Sequence, residues 1–140
     1  MRESPRHTQR EKDMKQTEKL IEISGLLDNL LKVNNDRTVL QNKVLLFCYV
    51  YQSLPFGVII DKLGMKKTNF AIMIADLEKE GFVSIKKSNI DRRCKLVELT
   101  EKGKKELDKF IKDVEKSLGN TPLEVDKAIE TLSAFLNKIV

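Results

Sequence analysis

Apolar residues recur along most of this chain at spacings of three and four, the period of a helix with one buried face. Leu20, Ile23, Leu27 and Leu30, widened by Ile21, Leu26 and Leu31, predict an amphipathic helix over residues 17–33, ended by Asn34-Asn35-Asp36. Before Lys15 there is a capping-box pair, Thr8 and Glu11, but no apolar periodicity, so a frayed or weakly helical start is expected. Thr38 and Gln41 form a capping box for the next helix, which carries Leu40, Val44, Phe47, Cys48 and Tyr51 along one side. Ser53-Leu54-Pro55-Phe56-Gly57 breaks the pattern and reads as a loop. A short helix with Ile59, Ile60 and Leu63 follows, and Gly64 supplies a permissive backbone for a tight turn.

Over residues 67–80, Phe70, Ile74 and Leu77, broadened by Met73, define the inner face of a further helix. Thr68, Asn69 and Ile72 are thereby left outside, and Gly81 ends the helix. Phe82 to Ile85 and Leu96 to Leu99 then read as two short strands around a polar loop, residues 86–95. Thr100 can cap the next helix, whose apolar set is Leu107, Phe110, Ile111, Val114 and Leu118 before Gly119-Asn120. Thr121-Pro122-Leu123-Glu124 starts a last helix carrying Val125, Ile129, Leu132, Leu136 and Ile139.

Helix, tight turn, helix, glycine, strand, basic loop and strand is the order of a helix-turn-helix with a β-hairpin wing, a unit that sets a recognition helix in the DNA major groove. The expected fold is mainly α with a small β wing, one domain over residues 1–140. Residues 39–118 form the DNA-binding lobe and connecting helix. Residues 17–33 and 122–139 carry wide apolar stripes on either side of that lobe, and the economical solution packs them together and against a second copy. A two-fold homodimer would offer two recognition helices to a palindrome. The expected interface residues are Leu20, Ile23, Leu27, Leu30, Ile129, Leu132, Leu136 and Ile139.

Charge sharpens this picture. The net charge is +5, and residues 62–105 hold 12 Lys and Arg against 6 Asp and Glu, while the rest of the chain is nearly balanced. A basic excess confined to the helix-turn-helix and wing is the footprint of a polyanion binder. An enzyme would need a nucleophile with a base, paired carboxylates, a metal cluster or a phosphate-cradling glycine loop. The glycines are scattered and His7 stands alone in a polar tail, so neither catalysis nor a metal nor a cofactor is expected. The longest uncharged run, residues 44–60, is short and interrupted, no secretory signal is apparent, and Cys48 and Cys94 form no disulfide or metal spacing. The expectation is a cytoplasmic protein with no membrane span. Cys94, between Arg93 and Lys95, has the basic setting of a redox-sensitive thiol but no resolving partner, so both cysteines read as structural.

Leu77-Glu78-Lys79-Glu80-Gly81-Phe82-Val83, then Asp91-Arg92-Arg93, then Leu99-Thr100-Glu101-Lys102-Gly103 resembles the MarR family of bacterial transcriptional regulators in order and spacing. The resemblance covers nearly the whole chain from Thr17. It implies a homodimer, usually a repressor, on a pseudo-palindromic operator, released in many members by a small apolar or phenolic effector. It also implies that Lys66, Lys67, Thr68, Asn69 and Ile72 face DNA and that Asp91, Arg92 and Arg93 form a wing tip near the minor groove. Members often carry Arg where Ile72 stands, and often Arg-x-x-x-Pro before the wing aspartate, which here is Lys86-Lys87-Ser88-Asn89-Ile90.

The residue types suggest a division of labour. Lys66, Lys67, Lys86 and Lys87 suit phosphates; Thr68 and Asn69 suit base edges; one wing arginine suits the minor groove, with Asp91 fixing the loop by an ion pair. The alternative is that Arg92 and Arg93 only pair with Asp91 and Glu98. An effector would sit where Leu40, Phe47, Tyr51 and Phe56 gather, residues that serve equally as plain core. The competing function is a winged helix that binds protein, or an antagonist of another regulator.

Overall fold

The computed structural model describes residues 5–32, 34–119 and 122–139. In chain order these form α1 (Pro5–Leu30), α2 (Val39–Tyr51), β1 (Ser53–Pro55), α3 (Phe56–Leu63), α4 (Lys67–Lys79), β2 (Val83–Lys87), β3 (Lys95–Leu99), α5 (Glu101–Leu118) and α6 (Pro122–Ile139). The fold is the expected one: helices around a three-stranded antiparallel sheet ordered β1-β3-β2.

In the first half of the chain the structure departs from the sequence expectation at the loop after α2 and at the start of α1. The loop expected after α2 contains β1, an edge strand that pairs Ser53 with Glu98, Leu54 with Val97 and Pro55 with Leu96. Pro55 is tolerated because an edge strand has one side free of ladder bonds. And α1 begins at Pro5, well before the first apolar stripe. Its early residues are rich in Arg, Glu, Lys and Gln, straight-chain side chains that lose little freedom in a helix, so propensity extends what amphipathicity starts. The cap expected at Thr121 lies outside the described residues.

The core is the lobe. Val44, Leu45 and Cys48 of α2, Ile59 of α3, Phe70, Met73, Ile74 and Leu77 of α4, Phe82 just before β2, Val83 and Val97 of the sheet, and Leu107 and Phe110 of α5 are buried together. All four residues assigned to the inner face of α4 are in this set. On α2 the buried line is Asn42, Val44, Leu45 and Cys48, while Leu40 and Tyr51 are exposed at its two ends. Thr38 caps α2 reciprocally with Gln41, as the sequence indicates.

Two polar constructions tie the elements to each other. Arg37 is 8% exposed, its Nε donating to Asn42 Oδ1 at 2.7 Å and its guanidinium reaching Glu106 of α5 at 3.1 Å. The same guanidinium lies 5.4 Å from the Phe82 ring and 5.9 Å from that of Phe110. Asn42 in turn donates to the Leu31 carbonyl just past α1 and to Asn35. One buried cation thus links the exit of α1 to α2, α5 and the turn that leads into β2.

The second construction joins α4 to α5. Thr100 donates its hydroxyl to the Gly81 carbonyl and its amide to the Phe82 carbonyl, and its Oγ1 accepts from Gly103 N at 3.0 Å as the α5 cap. Lys102 donates to the Glu80 carbonyl at 2.7 Å and lies over the Phe82 ring. Gly81 has φ +84°, a conformation that side-chain-bearing residues rarely adopt. At Gly103 a Cβ would overlap the Phe82 carbonyl oxygen. Gly103→Ala therefore forces the turn apart, and overpacking of this kind costs about 1–3 kcal/mol. Thermal unfolding followed by circular dichroism should show Tm lowered by several degrees; an unchanged Tm would mean that the close approach carries no stability.

Candidate nucleic-acid interface

With Phe70, Met73, Ile74 and Leu77 turned inward, α4 must present its other residues to solvent. Lys66, Lys67, Thr68, Asn69 and Ile72 are all exposed, Ile72 at 65%. No acidic residue lies in the first turn of α4, and Lys66 at the cap makes no side-chain cap bond. The helix therefore starts with open amides, the positive end of its dipole and two lysines together, an arrangement that favours an anion. Gly64, at φ +63° and ψ +31°, gives the left-handed turn that lets α3 stop and α4 begin three residues later.

The wing is a regular ladder from Val83–Leu99 to Lys87–Lys95, longer than the two four-residue strands the pattern suggests. Beyond it the tip is held by its own groups. Ser88 N donates to the Cys94 carbonyl and Cys94 N to the Asp91 carbonyl, each at 2.9 Å. Asp91 Oδ1 accepts from Arg93 N at 3.0 Å and from Arg93 Nε at 3.2 Å. Arg93 is thus the arginine paired with Asp91, while Arg92 is exposed and makes no ion pair among the described residues. Glu98 pairs with Lys86 at 2.9 Å, not with an arginine. Lys66, Lys67, Lys87 and Lys95 likewise have no ion-pair partner among the described residues. Of the ten positions assigned to DNA, nine are exposed and Asp91, the loop's anchor, is half-buried.

Cys94 lies just before β3 and is exposed, its thiol directed at Asp91 Oδ2 at 3.7 Å. Cys48 is buried, and that burial pushes its thiol up to about 12, far from the thiolate a reactive cysteine needs. Phe47 and Tyr51 lie under Lys62, whose Nζ is 5.9 Å and 5.8 Å from their ring centres. Phe56 meets Phe70 edge to face. Leu40, about 16 Å along α2 from Tyr51 at 1.5 Å per residue, is remote from that cluster. Among the described residues no group of acidic, His or Cys side chains could hold a metal, and no helix is long and apolar enough to cross a membrane.

The flanking helices face each other. Leu20, Ile23, Leu27 and Leu30 of α1 and Leu132 and Leu136 of α6 line one groove of about 400 Å³. Ile129 and Ile139 are also exposed on α6 but do not line it.

Sequence reasoning missed Arg37, Asn42 and Lys102, the polar groups that fix the lobe on which the interface is built. It also left the two wing arginines undistinguished, although an aspartate readily bonds the amide two residues on. Arg93's amide and side chain together hold the Asp91 carboxyl below the usual aspartate range. A depressed pKa stabilises the wing tip at neutral pH and loses that contribution as pH falls through the folded-state value. In an NMR pH titration the Arg93 amide proton should follow this carboxylate with a midpoint below that of an unpaired aspartate, and Asp91→Asn should abolish the titration. A midpoint at or above the ordinary value would contradict the pairing.

A family model for the winged helix DNA-binding domain matches residues 41–118. A curated relative, the uncharacterized HTH-type transcriptional regulator YfiV of Bacillus subtilis (strain 168), is 34% identical over 87 residues, or 62% of this chain. The chain spans about half of that relative, 54% of its length. Among solved structures, reduced AbfR bound to DNA aligns with a TM-score of 0.74 at 19% identity, covering 96% of this chain and 98% of that one. A cysteine-to-serine mutant of MarR from E. coli, complexed with operator DNA, gives a TM-score of 0.71 at 22% identity, covering 91% and 96%. The chain belongs to the winged helix DNA-binding domain family and carries the fold of the MarR regulators.

Proposed function

We propose that this chain is a cytoplasmic transcriptional regulator, a repressor that binds a pseudo-palindromic operator as a homodimer. The observation that carries the reading is the start of α4: a capless helix end with Lys66, Lys67, Thr68, Asn69 and Ile72 all exposed over a fully buried opposite face. Lys66, Lys67, Lys86 and Lys87 bind phosphates and set register. Thr68 and Asn69 read base edges in the major groove, Asn69 matching adenine N6 and N7, and Ile72 meets thymine methyls, a combination suited to A·T-rich sites. Arg92 enters the minor groove while Arg93 and Asp91 hold the loop. The apolar groove between α1 and α6, with Leu20, Leu27, Leu132 and Leu136 39–58% exposed, supports a second copy as its cover. A small apolar or phenolic effector would act beside Phe47 and Tyr51, the rings that lie under Lys62 of α3.

Fluorescence anisotropy with labelled duplex tests the reading. Eight lysines per dimer on phosphates predict a fall in affinity of about 10³–10⁵-fold between 50 and 200 mM salt. Lys67→Ala should weaken all sequences alike and flatten the log–log salt slope by about 2, the effect of two lost contacts per dimer. Asn69→Ala should lose about 1–3 kcal/mol of discrimination between preferred and random duplex. Binding that is negligible at every salt concentration would favour a protein-interaction module instead.

Light scattering tests the assembly. Leu27→Glu places a charge in the groove and should convert a dimer of about 32 kDa, twice the 16.1 kDa chain, to a monomer with weakened duplex binding. A wild-type monomer would overturn the dimer.

A further inference from the structure

At the tip of the wing Ile90 is 98% exposed, more than any other large apolar side chain described. A single exposed apolar residue on a loose loop needs no explanation. Ile90 is not on such a loop. Its amide donates to Ser88 Oγ at 3.2 Å, and the Asp91 amide donates to the same oxygen at 3.4 Å. The Asp91 carbonyl and carboxylate are taken by Cys94 and Arg93, and the Ser88 amide by the Cys94 carbonyl. Ser88, Asp91, Arg93 and Cys94 thus use their polar groups to hold the turn, and Ile90 is projected from a pinned backbone.

Its surroundings state what it can approach. Residues 86–95 carry five Lys and Arg against one Asp, and of these Lys87, Arg92 and Lys95 have no ion-pair partner among the described residues. An apolar tip on a loop that carries uncompensated positive charge, Arg92 in the turn itself and Lys87 and Lys95 at its base, disfavours a cationic surface and suits a polyanion with an apolar interior. Duplex DNA is such a partner, its stacked bases lying between two rails of phosphate. Proteins that enter the minor groove often insert an apolar side chain between base pairs, opening the stack beside a cation that neutralises the groove. Pyrimidine–purine steps open most easily.

We propose that Ile90 is a wedge: carried into the minor groove next to Arg92, it partly unstacks a base step at each end of the site. The proposal rests on the DNA-binding reading above and adds to it a contact that deforms the duplex. It makes sequence preference at the flanks a matter of deformability, with no base hydrogen bond required.

The test uses the full chain and a duplex of about 24 base pairs, two helical turns with margins, of alternating A·T sequence. In such a duplex every second step is pyrimidine–purine, so one lies within a base pair of wherever the wing lands, and 2-aminopurine in place of adenine reports unstacking by a rise in fluorescence. Wild type should raise the fluorescence on binding. Ile90→Ala should bind about tenfold more weakly with an unchanged salt slope and no rise, and Ile90→Leu should restore both. Because the side chain packs against nothing in the fold, the circular dichroism of both variants should match wild type. A wild-type complex without the rise, or an Ile90→Ala complex that keeps it, overturns the wedge while leaving DNA binding intact. A weakened Ile90→Ala complex with a flatter salt slope also overturns it, because the side chain carries no charge. Failure of wild type to bind any duplex in dilute salt overturns the underlying reading as well.

Discussion

The contact on which this molecule depends is the seam between the end of α4 and the start of α5. A recognition helix is useful only if its outward residues are held in fixed relation to the wing that follows it. Here the chain leaves α4 through Gly81, and the carbonyls of Gly81 and Phe82 are claimed at once by Thr100. Thr100 also caps α5 through Gly103, and Gly103 is close enough to Phe82 that no larger residue fits. Lys102 closes the seam from outside through the Glu80 carbonyl. The end of α4, the first wing strand and the long connecting helix thereby become one body. Most of these bonds join backbone groups or a short hydroxyl, so few rotamers are available to loosen them.

Arg37 does the corresponding work on the other side of the lobe. Its guanidinium is satisfied by Asn42 and Glu106 and lies against Phe82 and Phe110, so a charge is kept inside without being left unpaired. Because Asn42 also holds the carbonyl of Leu31, the exit of α1 is coupled to α2, and through Arg37 to α5. The two constructions meet at Phe82, which Arg37 and Lys102 both approach.

What was legible in the sequence follows from what is periodic or local. The inner face of α4 could be read because Phe70, Ile74 and Leu77 repeat with the helix, and the caps at Thr38 and Thr100 because capping is settled within four residues. The basic excess of the wing needed only counting. Other features had no local signal. Arg37 meets Glu106 across 69 residues, and nothing in its neighbourhood distinguishes it from a solvated arginine. β1 is three residues long and includes a proline, so it exists only because β3 lies beside it. Gly103 belongs to a recognisable motif, but the reason for a glycine there is the Phe82 carbonyl, which the sequence does not place. Leu40 shares a helical stripe with Tyr51, yet the helix outruns the core at both ends and leaves each exposed.

The first turn of α4 and the tip of the wing, fixed together by this seam, form the surface proposed to meet duplex DNA. Amide chemical-shift mapping of the isotope-labelled protein on addition of A·T-rich duplex tests that assignment most directly. The largest changes should fall on residues 66–72 and 86–93, with the buried face of α4 and the outer face of α5 little affected. Shifts confined to α1 and α6, or absent from both the helix start and the wing, would contradict it.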